Sequence, residues 1–189
     1  LKAVLDKTEV KDLRDVPDRL LNRLQLRVKQ HSISGKPYFD REGAAQALAA
    51  HKLPAYFLDF ETIAFAVPQW KETRPFQAVP FQFSLHRLSR TLKLSHTAFL
   101  DLSGADPRAA LAHALLDACG TAGPVFVYYK GFEAARIREL AKQFNKLSPA
   151  LLALNARLVD LLPIARDHYY HPNQQGSWSI KAVLPAMVP

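Results

Sequence analysis

The chain has 189 residues, 49% hydrophobic and 22% charged, which suits a globular domain with a sizeable core. No run approaches the ~20 apolar residues of a membrane-spanning helix, and Leu1-Lys-Ala-Val-Leu-Asp-Lys7 carries charges where a secretory signal has its apolar core, so no membrane partner is expected. The formal charge of +8 favours a polyanionic partner, nucleic acid first, although a merely basic surface has the same composition. The lone cysteine, Cys119, excludes an intrachain disulfide and fits a reducing, cytoplasmic setting.

Residues 1–52 read as a helical linker or N-terminal extension. With no initiator Met, the chain is expected to be a fragment of a longer protein. Leu20, Leu21, Leu24 and Val28 fall at helical spacing within Pro17–Gln30, Pro17 suiting the first turn. Ser32–Tyr38 is a loop, Asp40 is placed to cap a helix over Arg41–His51, and Pro54 opens an extended segment. Residues 53–189 then read as one domain. Ala55–Glu61, nearly all apolar, suits a buried central strand, followed by strands over Val79–Leu88 and Leu92–Leu100. A helix from Asp106 to Ala118, a buried strand over Pro124–Tyr129 and a helix over Gly131–Phe144 come next. A helical turn at Leu151–Leu154, a short strand at Arg157–Asp160 and a helix over Leu161–Tyr170 complete the series. Three strands able to pair antiparallel, then two parallel additions with helical crossovers, predict an α/β mixed sheet with flanking helices, the order of a ribonuclease H-like fold.

Asp59 and Glu61 stand two apart on a predicted strand, so alternation sends both carboxylates to one face. Two ionised carboxylates on a buried strand repel each other unless a cation lies between them, and Mg²⁺ or Mn²⁺ prefers such oxygen ligands. The alternative is a strand end with an exposed Glu61. In Val125-Phe-Val-Tyr-Tyr-Lys-Gly-Phe-Glu133 a buried strand turns into a helix. Glu133 there is either a third ligand or a first-turn acid that complements the helix dipole. Asp160 is a fourth carboxylate of the site or a cap for the helix at Leu161. Tyr169-Tyr-His-Pro-Asn-Gln-Gln-Gly-Ser-Trp-Ser-Ile-Lys181 gathers aromatic, amide and basic groups in a turn-rich stretch. Tyr169 could stack on a base and Lys181 or Lys130 meet a phosphate, against the alternative that the aromatics pack on the core. His168 and His171 make a poor zinc pattern, and Cys119 reads as core rather than nucleophile. No phosphate-binding glycine loop, G-x-S-x-G elbow or dinucleotide fingerprint is present.

Leu58-Asp-Phe-Glu-Thr62 resembles the first motif of the DEDD, proofreading-type 3′–5′ exonucleases, and Tyr129-Lys-Gly-Phe-Glu133 is similar to their second. A closer resemblance is to the bacterial domain-of-unknown-function family 2779. It is carried by Tyr56-Phe-Leu-Asp-Phe-Glu-Thr62, Pro80-Phe-Gln-Phe-Ser-Leu-His86, Asp106-Pro-Arg108, Val159-Asp-Leu-Leu162, Tyr169-Tyr-His-Pro172 and Gly176-Ser-Trp-Ser-Ile-Lys-Ala-Val-Leu-Pro185, in that order. The resemblance implies a ribonuclease H-like fold, a nuclease role, and a RecB-like nuclease domain covalently linked ahead of this one. Glu133 stands where the exonucleases use Asp and Tyr129 where they use Asn, and their third motif would lie beyond Pro189.

The sequence therefore leads us to expect metal-dependent hydrolysis of phosphodiester bonds in DNA or RNA, exonuclease-like. Asp59 would bridge two Mg²⁺ or Mn²⁺ ions, Glu61 orient the water, Glu133 complete the shell and Asp160 assist. A catalytically incomplete nucleic-acid-binding module beside a RecB-like nuclease is the alternative, and a protein-interaction domain the third.

Overall fold

Two short segments decide how the chain divides. In the computed structural model, which describes residues 10–188, Tyr38–Phe39 pairs antiparallel with Tyr169–Tyr170. That pairing joins the segment ending at Ala49 to the one beginning at Leu162 as one unit, and Ala50–Leu161 forms the other. Residues 1–9 of the expected N-terminal extension lie outside the described residues.

In the first unit, α1 (Arg23–Ser34) starts later than the apolar spacing predicts. Asp18–Leu20 makes a separate 3-10 turn, and a capping box sets the helix start: Asn22 Oδ1 accepts from the Gln25 amide and Gln25 Oε1 from the Asn22 amide. Gly35, at φ 68°, ends it. After β1 (Tyr38–Phe39), Asp40 caps α2 (Arg41–Ala49) through the Gly43 amide at 2.9 Å, as its position in the sequence predicts.

The second unit holds β2 (Ala55–Ile63), β3 (Val79–Leu88), β4 (Leu94–Leu100), α3 (Arg108–Cys119), β5 (Val125–Val127), α4 (Lys130–Gln143), α5 (Ser148–Ala156) and β6 (Leu158–Asp160). The sheet order is β4-β3-β2-β5-β6, with β2, β3 and β4 antiparallel and β2, β5 and β6 parallel. The expected mixed α/β sheet is observed. Tyr56, Leu58 and Phe60 on β2 point into a core with Phe83 and Leu85 of β3 and Leu111, Leu115, Ile137, Leu140 and Leu151 of the helices. One expectation needs correction: β2 is buried on one face only. Phe57, Asp59 and Glu61 alternate onto a face open to solvent.

Arg157 fastens the approach to β5, donating to the carbonyls of Cys119, Gly120, Ala122 and Gly123 at 2.6–3.0 Å. Gly123 is required there. Its φ is +91°, and a Cβ would collide with the Pro54 carbonyl.

The chain returns to the first unit through α6 (Leu161–His168), β7 (Tyr169–Tyr170) and α7 (Ile180–Met187). The sequence reading has no helix at α7; Pro185, which argues against one, sits inside it. Among the described residues, no helix is long and apolar enough to cross a membrane.

Candidate functional site

Asp59 and Glu61 share one face of the central strand, as the two-residue spacing requires. Asp59 faces Ser84 across the β2–β3 ladder and Glu61 faces Gln82, with a register irregularity immediately after Glu61. Neighbouring protein that displaces water raises the Asp59 pKa, and the charge of Glu61 raises it further.

Glu133 lies in the first turn of α4 and is only 3% exposed. Its Oε2 has no hydrogen-bond partner. Burial pushes the carboxyl up to about 7; its own backbone amide pulls it down, and the charges of Asp59 and Asp160 raise it. Glu133 is therefore more than a surface acid complementing a helix dipole. It is a buried carboxyl in the field of two others. An unbonded buried oxygen costs roughly 1–3 kcal/mol and calls for a functional or structural reason.

Asp160, at the end of β6, reaches back to the turn that opens α4. Its Oδ1 accepts from the Tyr129 amide at 3.0 Å and its Oδ2 from the Lys130 amide at 2.9 Å. It thus caps α4, thirty residues earlier, and its charge is felt by Glu133. The cap holds Tyr129 in the left-handed region at φ 72°, the sharp turn that ends β5 short of its predicted length and aims α4. The nearby Tyr128 phenol has its pKa raised by burial and by Asp160.

The expected nucleic-acid contacts are placed differently from one another. Lys130 Nζ donates to the Leu158 carbonyl at 2.7 Å, so its ammonium is engaged within its own unit. Tyr169 is buried and donates its hydroxyl to the Ala186 carbonyl at 2.7 Å, which leaves no ring face for a base. Lys181 is exposed on α7. His168 Nδ1 meets Asp40 Oδ2 at 2.9 Å. Cys119 is fully buried and its thiol is pushed up to about 12, an inert core residue.

Sequence reasoning missed a group on the same open face as Asp59. His96 of β4 lies opposite His86 of β3 with ring centroids 4.5 Å apart, and Ser84 Oγ is 3.0 Å from His96 Nε2. The alternation Gln82-Phe-Ser-Leu-His86 signals that Gln82, Ser84 and His86 share a face. Their alignment with Asp59 and His96 depends on the strand register, which the sequence does not display.

The donor set suits a hard cation: all-oxygen, mutually repelling, with one buried oxygen unsatisfied. Yet among the described residues no three His, Cys, Asp or Glu side chains stand close enough together to hold a metal ion. The carboxylates feel one another's charge without already forming a ligand cage.

The profile of the family described as Domain of unknown function (DUF2779) matches residues 56–179. That span includes Asp59, Glu61, Glu133 and Asp160. No curated protein and no solved structure matches the chain. The match covers more than half of the sequence, and the chain belongs to the DUF2779 family.

Proposed function

We propose that Ala50–Leu161 is a metal-dependent nuclease module of ribonuclease H-like, DEDD type that hydrolyses phosphodiester bonds of DNA or RNA. The observation that carries the reading is Glu133 on α4: buried, with Oε2 unbonded, its pKa raised by that burial and further by the charges of Asp59 on β2 and Asp160 on β6. The sheet order, three antiparallel strands followed by two parallel ones, supports the same reading. Asp59, Glu61 and Glu133 would hold Mg²⁺ or Mn²⁺, and such an ion supplies an activated water and charge stabilisation for the leaving oxygen. Asp160 acts through the backbone: by capping α4 it positions the turn that carries Glu133. A RecB-like nuclease domain linked ahead of this chain is part of the same proposal.

The second reading, a nucleic-acid-binding module without catalysis, is favoured by one observation, the lack of a preassembled three-donor group among the described residues. A crystal soaked in Mn²⁺ separates the two. An anomalous peak bonded to Asp59 and Glu133 carboxylate oxygens supports the nuclease. Nucleic acid bound in solution together with no peak beside Asp59 supports the binding module.

A further inference from the structure

The unit formed by the two ends of the chain contains a hollow of about 300 Å³ lined by Asn22, Arg23, Leu24, Arg27, Arg166 and Asp167. Three arginines and one aspartate are among its lining residues. Arg23 and Arg27 are four apart on α1 and so share a helix face. Arg27 is only 7% exposed, with its guanidinium 3.9 Å over the Tyr38 ring and its Nη1 donating to the Arg166 carbonyl at 2.8 Å. Its charge also acts on Asp40, whose carboxyl is held low by the Gly43 amide and His168 and further by Arg27. Arg27 is thus held in place by its neighbours, while Arg23 and Arg166, which line the same hollow, are exposed. The hollow also lies at the start of α1, a twelve-residue helix. The capping box engages the amides of Asn22 and Gln25, and helix geometry leaves those of Arg23 and Leu24 without an intrahelical acceptor. A helix start adds positive potential to the three arginines.

We propose that this hollow binds a phosphate group, either the monoester of a nucleotide or strand end or a phosphodiester of a nucleic-acid backbone. Guanidinium forks match the several acceptor oxygens of phosphate, and the cavity is larger than phosphate alone, leaving space for an attached sugar. The proposal is independent of the carboxylate site and holds whether or not that site cleaves anything.

The test is calorimetric titration of the 189-residue chain in EDTA, which removes metal-mediated binding at the carboxylates. The probes are inorganic phosphate, 5′-AMP, and one oligonucleotide with and without a 5′-phosphate. Arg23→Ala and Arg166→Ala alter exposed residues and should each weaken binding about tenfold, one charge-assisted contact's worth. Arg90→Ala, an exposed arginine of the other unit, should leave this binding unchanged. A preference for the 5′-phosphorylated strand identifies a monoester ligand; equal affinity for both strands, lost in the arginine variants, identifies the backbone. The proposal is overturned if no probe binds in the millimolar range, or if binding is the same in Arg23→Ala and Arg166→Ala as in the native chain.

Discussion

At the scale of single residues, Glu133 makes the sharpest prediction. Its folded pKa is raised to about 7 from an ordinary value of 4.5. The folded state therefore binds the proton more tightly than the unfolded chain does. Stability is greatest below about 4.5 and falls as the pH rises through about 7. The full penalty above that window is on the order of 3 kcal/mol. Glu133→Gln should remove it: urea midpoints of variant and native protein should nearly coincide at acid pH, with the variant more stable at pH near 8. If the native midpoint does not fall across this window, the burial assigned to Glu133 is wrong. Mg²⁺ or Mn²⁺ should restore stability to the native protein above neutrality, because an ion that binds only the folded state stabilises it. The metal should do much less for Glu133→Gln; an equal shift in both proteins would place the ion elsewhere.

At the scale of elements, two joints set the geometry of the sheet and α4. Asp160→Ala removes two acceptors from the start of α4 and should cost about 1–2 kcal/mol in chemical denaturation. An unchanged midpoint would contradict the cap. Gly123→Ala forces a Cβ onto the Pro54 carbonyl at positive φ and should destabilise by roughly 2–4 kcal/mol. Full stability of that variant would contradict the approach of the two segments. These joints also show what the sequence discloses. Periodicity marks β2, β3, α3 and α4 because each buries a regular face, and the spacing of Asp59 and Glu61 fixes their common side. The same periodicity is silent about solvent on the far face of β2, so the carboxylates are wetter than their apolar neighbours suggest. It is silent, too, about long-range partners. Nothing in Arg157-Leu-Val-Asp160 says that Asp160 reaches back to the Tyr129 and Lys130 amides. Nor does anything near Tyr169 say that it pairs with Phe39 and donates to Ala186. Asn22 and Gln25, by contrast, are a local capping signal that was readable and outweighs the apolar spacing from Pro17.

At the scale of the whole molecule, the charge of +8 bears on partners rather than on fold. Binding to a single strand in the absence of divalent metal should fall steeply with salt. About four neutralised phosphates correspond to a roughly 50-fold loss between 50 and 200 mM salt. A salt-independent affinity would remove nucleic acid from the account. The central claim, however, is hydrolysis at the carboxylates, and it is tested most directly by the release of nucleotides from an end-labelled strand in Mn²⁺, comparing the native chain with Asp59→Ala. The account predicts metal-dependent release that drops at least about 100-fold in the variant, which loses a ligand of the ion. Equal release by both proteins would contradict it.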